Sequence, residues 1–189
     1  MPTARTVAVL VGSLRKASYS RLTANALADL AAPALRLKIV EIGSLPLYNE
    51  DLEAAGAPTA WTDFRQAIAP ADGVLFVTPE YNRSVPGVLK NAIDVGSRPY
   101  GQSVWNGRPG AVISVSPGAI GGCGANHHLR QSLVFLNVPV MQQPEAYIGG
   151  AAQLFNKDGA IANDATRGFL ANFIKAFAAW IELVRPAAA

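Results

Sequence analysis

Thr6-Val-Ala-Val-Leu-Val-Gly-Ser-Leu-Arg-Lys-Ala-Ser-Tyr-Ser20 is the stretch whose reading decides the fold. The run from Thr6 to Val11 is β-favouring or small and apolar, the pattern of a strand buried on both faces of a parallel sheet. It stops at Gly12 and passes into a loop of hydroxyls and cations. Beyond the loop, Arg21-Leu-Thr-Ala-Asn-Ala-Leu-Ala-Asp-Leu30 has helical spacing. The loop therefore joins the carboxyl end of a strand to the amino end of a helix, where unpaired N–H groups and the helix dipole favour an anion such as phosphate. Ser13, Ser18 and Ser20 add hydroxyls and Arg15 adds a guanidinium. The glycine spacing of a dinucleotide fingerprint and the Gly-Lys-Ser/Thr ending of a P-loop are both missing. A loop dense in Ser with one Gly suits a terminal monophosphate, whose dianion takes several donors at once. The plainer alternative is that Ser18 or Ser20 caps the helix, which Ser at such a position often does.

Outward from this stretch, strands and helices alternate. Leu37 to Ile42 reads as a second strand, Gly43 to Gly56 as an irregular connection, and Thr59 as the cap of a helix running to about Ile68. Asp72-Gly73 turns the chain into a second continuous apolar run, Val74 to Thr78, which reads as a central strand. After the loop Pro79 to Ser84, Pro86 is placed in the first turn of a helix through Val88, Leu89, Ala92 and Ile93. A turn-rich segment, Gly96 to Pro109, leads to a strand at Ala111 to Val115. The loop Ser116-Pro-Gly-Ala-Ile-Gly-Gly-Cys-Gly124 follows, then a helix marked by Leu129, Leu133, Val134 and Leu136. Val138 to Met141 reads as a short last strand, with Pro139 suggesting the sheet edge. Ala160 to Ala162 is too short to assign, and Phe169, Leu170, Phe173, Ile174, Phe177, Trp180, Ile181 and Val184 space out a long terminal helix.

This alternation implies a doubly wound parallel sheet with helices on both faces, and ligands bound outside the carboxyl ends of its strands. Three loops meet that description: Ser13 to Ser20, Pro79 to Ser84, and Ser116 to Gly124.

Composition narrows the partners. With 189 residues and no linker-like stretch, a single domain over 1–189 is expected. Half the residues are hydrophobic and 15% are charged, which suits a compact core with surface covered by another subunit. The net charge of +3 is scattered, without the basic stripe of a nucleic-acid binder. The single Cys123 excludes an internal disulfide, fits a reducing cytoplasm, and has no cation nearby in sequence to activate it. His127 and His128 are adjacent, so on a helix they point about 100° apart and suit surface positions better than a metal pair. No metal site is expected. The amino terminus enters a strand without a leader pattern and no apolar run approaches ~20 residues, so an unexported, soluble protein is expected.

The middle loop offers Glu80, Tyr81, Asn82 and Arg83, and the third offers N–H groups at a Gly-rich turn. A flat heteroaromatic ring needs such surroundings, and a flavin above the first loop's phosphate would fit. Tyr81 as a half-buried turn tyrosine and Asn82 as a turn residue are the alternatives. No Ser/His/Asp set or carboxylate pair emerges, as expected where a cofactor carries the chemistry.

Gly12-Ser-Leu-Arg-Lys-Ala-Ser18, Pro79-Glu-Tyr-Asn82 with Ser84-Val-Pro-Gly-Val-Leu-Lys-Asn-Ala-Ile-Asp94, and Gly121-Gly122 before His128-Leu-Arg-Gln131 carry a specific likeness. From about Thr6 to Glu145 the chain resembles the NADPH-dependent FMN reductase family, which includes bacterial quinone and chromate reductases. The resemblance implies a flavodoxin-like five-stranded sheet of order 2-1-3-4-5 and non-covalent FMN, with NADPH or NADH as co-substrate. By position, Ser13, Arg15, Ser18 and Ser20 would take the phosphate, with Leu14 and Tyr19 also among the cofactor-binding residues. Pro79, Glu80, Tyr81 and Asn82 would flank the ring, and Ser116, Pro117 and Gly118 would close its other side. Hydride would pass from NAD(P)H through FMN, by a ping-pong scheme, to quinones or similar small acceptors such as chromate, azo compounds or free flavin. The family builds its site at a subunit boundary, so a homodimer or homotetramer is implied. The chain departs from its relatives at Arg83, where they often carry Tyr, and at Gly124, where a close relative carries Arg. A non-enzymatic flavodoxin-type electron carrier is the alternative, but such carriers are usually strongly acidic and this chain has a pI of 9.2.

Overall fold

The computed structural model of the chain describes residues 4–185. Strand β1 (Arg5–Val11) leads to helix α1 (Tyr19–Ala31), then β2 (Leu35–Ile39), α2 (Glu50–Gly56), α3 (Thr59–Ile68) and β3 (Gly73–Thr78). The chain continues through α4 (Gly87–Gly96), β4 (Gly110–Val115), α5 (Cys123–Phe135), β5 (Ala146–Ile148) and α6 (Asp164–Val184). The five strands form one sheet of order β2-β1-β3-β4-β5, with every neighbouring pair parallel. This is the flavodoxin-like order that the resemblance implies.

Strict alternation along the central strands sends side chains to two separate cores. Val7, Val9, Val11, Leu75, Val77 and Ile113 face α1 and α6, where they meet Leu27, Phe173 and Phe177. Ala8, Leu10, Val74, Phe76 and Val112 face the other way, against Trp61 and Phe64 of α3, Leu89 and Ile93 of α4, and Leu129 and Leu133 of α5. Each residue of β3 and β4 is buried, so these strands read as unbroken apolar runs. β1 and β3 lie side by side, yet their following helices α1 and α4 cover opposite faces, and that reversal opens a crevice above their ends.

Four expectations need correction. β2 starts two residues earlier than Leu37 and ends at Ile39, because its register is set by β1, from Arg5 opposite Leu35 to Val9 opposite Ile39. The irregular connection contains α2: Asn49 caps it by accepting from the Asp51 N–H at 2.9 Å, and Glu50, Asp51 and Glu53 in its first turn suit the dipole. None of its residues is buried, so it left no apolar period to read; Glu53 instead holds it to α3 through a two-pronged pair with Arg65, at 3.0 and 2.6 Å. The last strand is Ala146–Ile148 and not Val138 to Met141. Val140 makes an isolated bridge to Gly110, and the ladder resumes with Ala146 opposite Ile113, so this edge spends twice as many residues as β4 over the same rise. Pro86 stands at the N-cap of α4, one residue ahead of its first turn.

The turn-rich segment after α4 is anchored by Trp105. Its indole is fully buried, donates from Nε1 to the Ile93 carbonyl at 2.9 Å, and fills the space that a side chain at Gly96 would need. Among the described residues no helix is long and apolar enough to cross a membrane.

Candidate functional site

The site begins at Gly12, whose N–H donates to the Val77 carbonyl at 2.9 Å and so extends β1 alongside the end of β3. A Cβ there would come within 3.1 Å of both Leu89 Cδ2 and Pro79 Cδ, so the small residue lets the first and second loops approach. Between these loops and the third lies a cavity of about 240 Å³. The first loop contributes Ser13, Arg15, Ser18, Tyr19 and Ser20, the second Pro79, Glu80 and Tyr81, and the third Ser116 and Pro117 with Val115 before them. Loops far apart in sequence are thus brought together as the sheet order requires.

Leu14, Asn82 and Gly118 stand outside that lining. Leu14 is exposed and lies over Gly43. Asn82 and Arg83, with φ of 51° and 63°, form the tip of a two-residue turn closed by paired backbone bonds between Tyr81 and Ser84 at 3.1 and 3.0 Å. Positive φ at both central positions is the geometry of a type I′ hairpin turn. Gly118 shapes its own loop, donating to Ser116 Oγ at 3.1 Å and accepting from the Gly121 N–H at 3.2 Å.

The first-loop side of the cavity has donors to spare. Ser18 is the cap of α1, accepting from the Arg21 N–H at 3.2 Å, so the plainer reading holds for this residue. Ser13 and Ser20 are buried residues that line the cavity, and no hydrogen bond from their hydroxyls is formed among the described residues. Ser20 lies within α1, whose first two N–H groups, of Tyr19 and Ser20, have no backbone acceptor among the described residues. Arg15 is exposed and makes no ion pair among them, whereas Arg21 is held by Glu41 at 2.9 and 2.7 Å. Two hydroxyls, two helix N–H groups and a guanidinium from one loop lining a cavity have the chemistry that a phosphate dianion needs.

Two features escaped the sequence reading. Val115 closes β4 and was read only as strand, although its place at a carboxyl end was the available signal. The second is the segment after β5: the Ala151 N–H donates to the Ser116 carbonyl at 3.1 Å, and Phe155 stacks on Tyr19 with ring centroids 6.5 Å apart and planes 13° apart. It therefore ties the third loop to the start of α1. Its residues lack a period: a single 3-10 turn at Ala151–Gln153, the isolated bridge between Phe155 and Ile161 and the loop bonds of Asn156 shape it.

The histidines separate as their adjacency requires. His127 Nε2 meets the Tyr147 hydroxyl at 3.1 Å and His128 Nδ1 meets Ser84 Oγ at 3.0 Å. Burial, and then the bond to Glu145, push the Tyr147 phenol up to about 12.

The model of the family described as NADPH-dependent FMN reductase matches residues 5–153. A quinone reductase from Pseudomonas putida is 68% identical over 179 residues, covering 95% of this chain and 96% of its own. A 2-hydroxy-1,4-benzoquinone reductase from Burkholderia sp. is 49% identical over 175 residues, covering 93% and 95%. Among solved structures, the flavoenzyme NAD(P)H:(acceptor) oxidoreductase FerB from Paracoccus denitrificans superposes with a TM-score of 0.90 at 45% identity, covering 95% of this chain and 98% of that one. With its five-stranded order, a donor-rich first loop and relatives matching along nearly its whole length, this chain belongs to the NADPH-dependent FMN reductase family and is an FMN-dependent NAD(P)H oxidoreductase.

Proposed function

We propose that this enzyme is a quinone reductase that holds FMN with its phosphate in the Ser13 to Ser20 loop. The observation that carries the reading is the set of donors there without partners among the described residues: the hydroxyls of Ser13 and Ser20, the first N–H groups of α1 and the Arg15 guanidinium. Bound FMN would supply the redox chemistry, taking hydride from NADPH or NADH and giving two electrons to the acceptor. The chain's own residues bind and orient. Pro79 and Tyr81 would flank one side of the ring and Ser116 and Pro117 the other, with Leu14, Glu80, Asn82 and Gly118 shaping the loops behind them. The cavity is smaller than the ~300–1,000 Å³ of a site that encloses its ligand, which supports a ring partly open to an incoming acceptor. Quinone as that acceptor rests on the names of the relatives. Purified protein should oxidise NADPH rapidly when 1,4-benzoquinone is added, with parallel double-reciprocal lines. A flavin-loaded protein that leaves NADPH untouched would favour the electron-carrier alternative.

The chain is also proposed to act as a homodimer or homotetramer in a reducing cytoplasm. The apolar face of α4 is largely used inside the subunit, where Leu89, Ala92, Ile93 and Val95 are buried. Support comes instead from the end of α5, where Val134 is 75% and Phe135 83% exposed, an apolar pair that water disfavours. Light scattering should give twice or four times the chain mass. A monomer fully active at micromolar concentration would contradict this.

A further inference from the structure

We propose that Glu80 is a positioning residue, which fastens the Pro79 to Ser84 wall of the cavity onto the first turn of α5, and that Gly124 is the seat on which that wall rests. The inference depends on the cofactor placement proposed above only in its flavin readouts.

Both carboxylate oxygens of Glu80 are engaged away from the first loop. Oε2 accepts from the Ala125 N–H at 3.0 Å, and Oε1 accepts from Arg83 Nη1 at 3.1 Å. The carboxylate is largely buried, with 11% of its side chain exposed, and it lies at the positive end of a thirteen-residue helix whose N-cap, Gly122, has no side chain to do the same. The seat is equally specific. A Cβ at Gly124 would stand 2.9 Å from the Arg83 carbonyl oxygen, closer than real Cβ atoms come to backbone, and 3.0 Å from Glu80 Oε2, which would have to give way. Arg83 itself sits at φ 63°, where an L side chain is strained and glycine is the usual occupant. Such a conformation persists only where its surroundings enforce it. Here the Glu80 bond to Arg83 and the close contact with Gly124 act on the same residue from two sides. Tyr81, next to Glu80, lines the cavity, so the lock fixes the spacing between its second wall and the third loop that runs into α5. Arg83 and Gly124 are therefore one contact.

The test uses the full chain with Glu80→Gln, Glu80→Ala and Gly124→Ala, and reads FMN affinity, the flavin midpoint potential and hydrogen exchange at the Ala125 amide. Glu80→Ala and Gly124→Ala should each loosen FMN by about tenfold, and Glu80→Ala should speed Ala125 exchange by a similar factor. Glu80→Gln keeps an amide oxygen that can accept from Ala125, so it should restore affinity and exchange to within about threefold of wild type and leave the potential unmoved. If Glu80→Gln instead behaves as Glu80→Ala and shifts the potential, the charge acts directly on the flavin and the positioning role is refuted. Wild-type behaviour of both Glu80→Ala and Gly124→Ala would refute it equally. If the wild-type protein carries no flavin, the cofactor reading fails, and Ala125 exchange in Glu80→Ala and Glu80→Gln still decides the lock.

Discussion

Arg15→Ala is expected to lower FMN affinity tenfold to a hundredfold while leaving turnover per bound flavin within a few-fold of wild type. A charge-assisted bond from a guanidinium to a phosphate dianion contributes about 1.5–3 kcal/mol, and Arg15, the one guanidinium of the first loop, makes no ion pair among the described residues. Because its side chain is exposed and makes no internal hydrogen bond, removing it orphans nothing in the core, and the fold should be unaffected. The two-electron chemistry would take place at the ring, remote from this end of the cavity, so the hydride-transfer step should survive. Equilibrium dialysis against FMN and single-turnover reduction by NADPH measure the two quantities separately. A variant that keeps its flavin and loses the reduction step would place Arg15 at the nicotinamide or the acceptor, and the phosphate elsewhere.

Trp105→Ala should cost about 3–5 kcal/mol of folding stability, the range for truncating a buried large aromatic residue, and lower Tm by roughly 6–20 °C. The indole has no exposed surface and packs with Phe64 at 6.2 Å and Phe76 at 5.9 Å between ring centroids. It also takes the Ile93 carbonyl near the end of α4 and occupies the space left by Gly96. Its loss would remove the anchor of the segment between α4 and β4 and leave a cavity against the sheet. Thermal unfolding followed by circular dichroism checks this. A loss below about 1 kcal/mol would mean that the surrounding residues collapse into the space, which the rigid aromatic cluster argues against.

How far the sequence could be read depended on what each segment buries. β1, β3 and β4 were legible because both their faces are covered, so each is an uninterrupted apolar run. α6 was legible through Leu170, Phe173, Ile174, Phe177 and Ile181, one buried face repeated over about three turns. α2 buries nothing and was hidden among Gly, Pro and Asn; its stability rests on a cap and an ion pair, which leave no periodic trace. β5 was misplaced because Val138 to Met141 carries the apolar residues, while the three-residue ladder of Ala146–Ile148 lies beyond a turn. At the site, residue types and their place after strands pointed to the three loops, and ten of the thirteen residues singled out line one cavity. Side-chain direction was not legible. Leu14 turns toward Gly43, Asn82 shapes a turn, and the engagement of Glu80 with α5 joins residues 45 positions apart, which only the folded sheet brings together.

The central claim is that the first loop encloses a terminal phosphate, and identifying the cofactor tests it most directly. Ser13, Ser20 and Arg15 line a cavity of about 240 Å³, which suits a nucleotide that ends in its phosphate better than one that continues into an adenylate. Protein purified without added flavin should be yellow, and mass spectrometry of the cofactor released by heating should find FMN as the main species. Release of FAD as the main species, or a colourless protein that takes up no FMN, would contradict the placement of the phosphate and the function built on it.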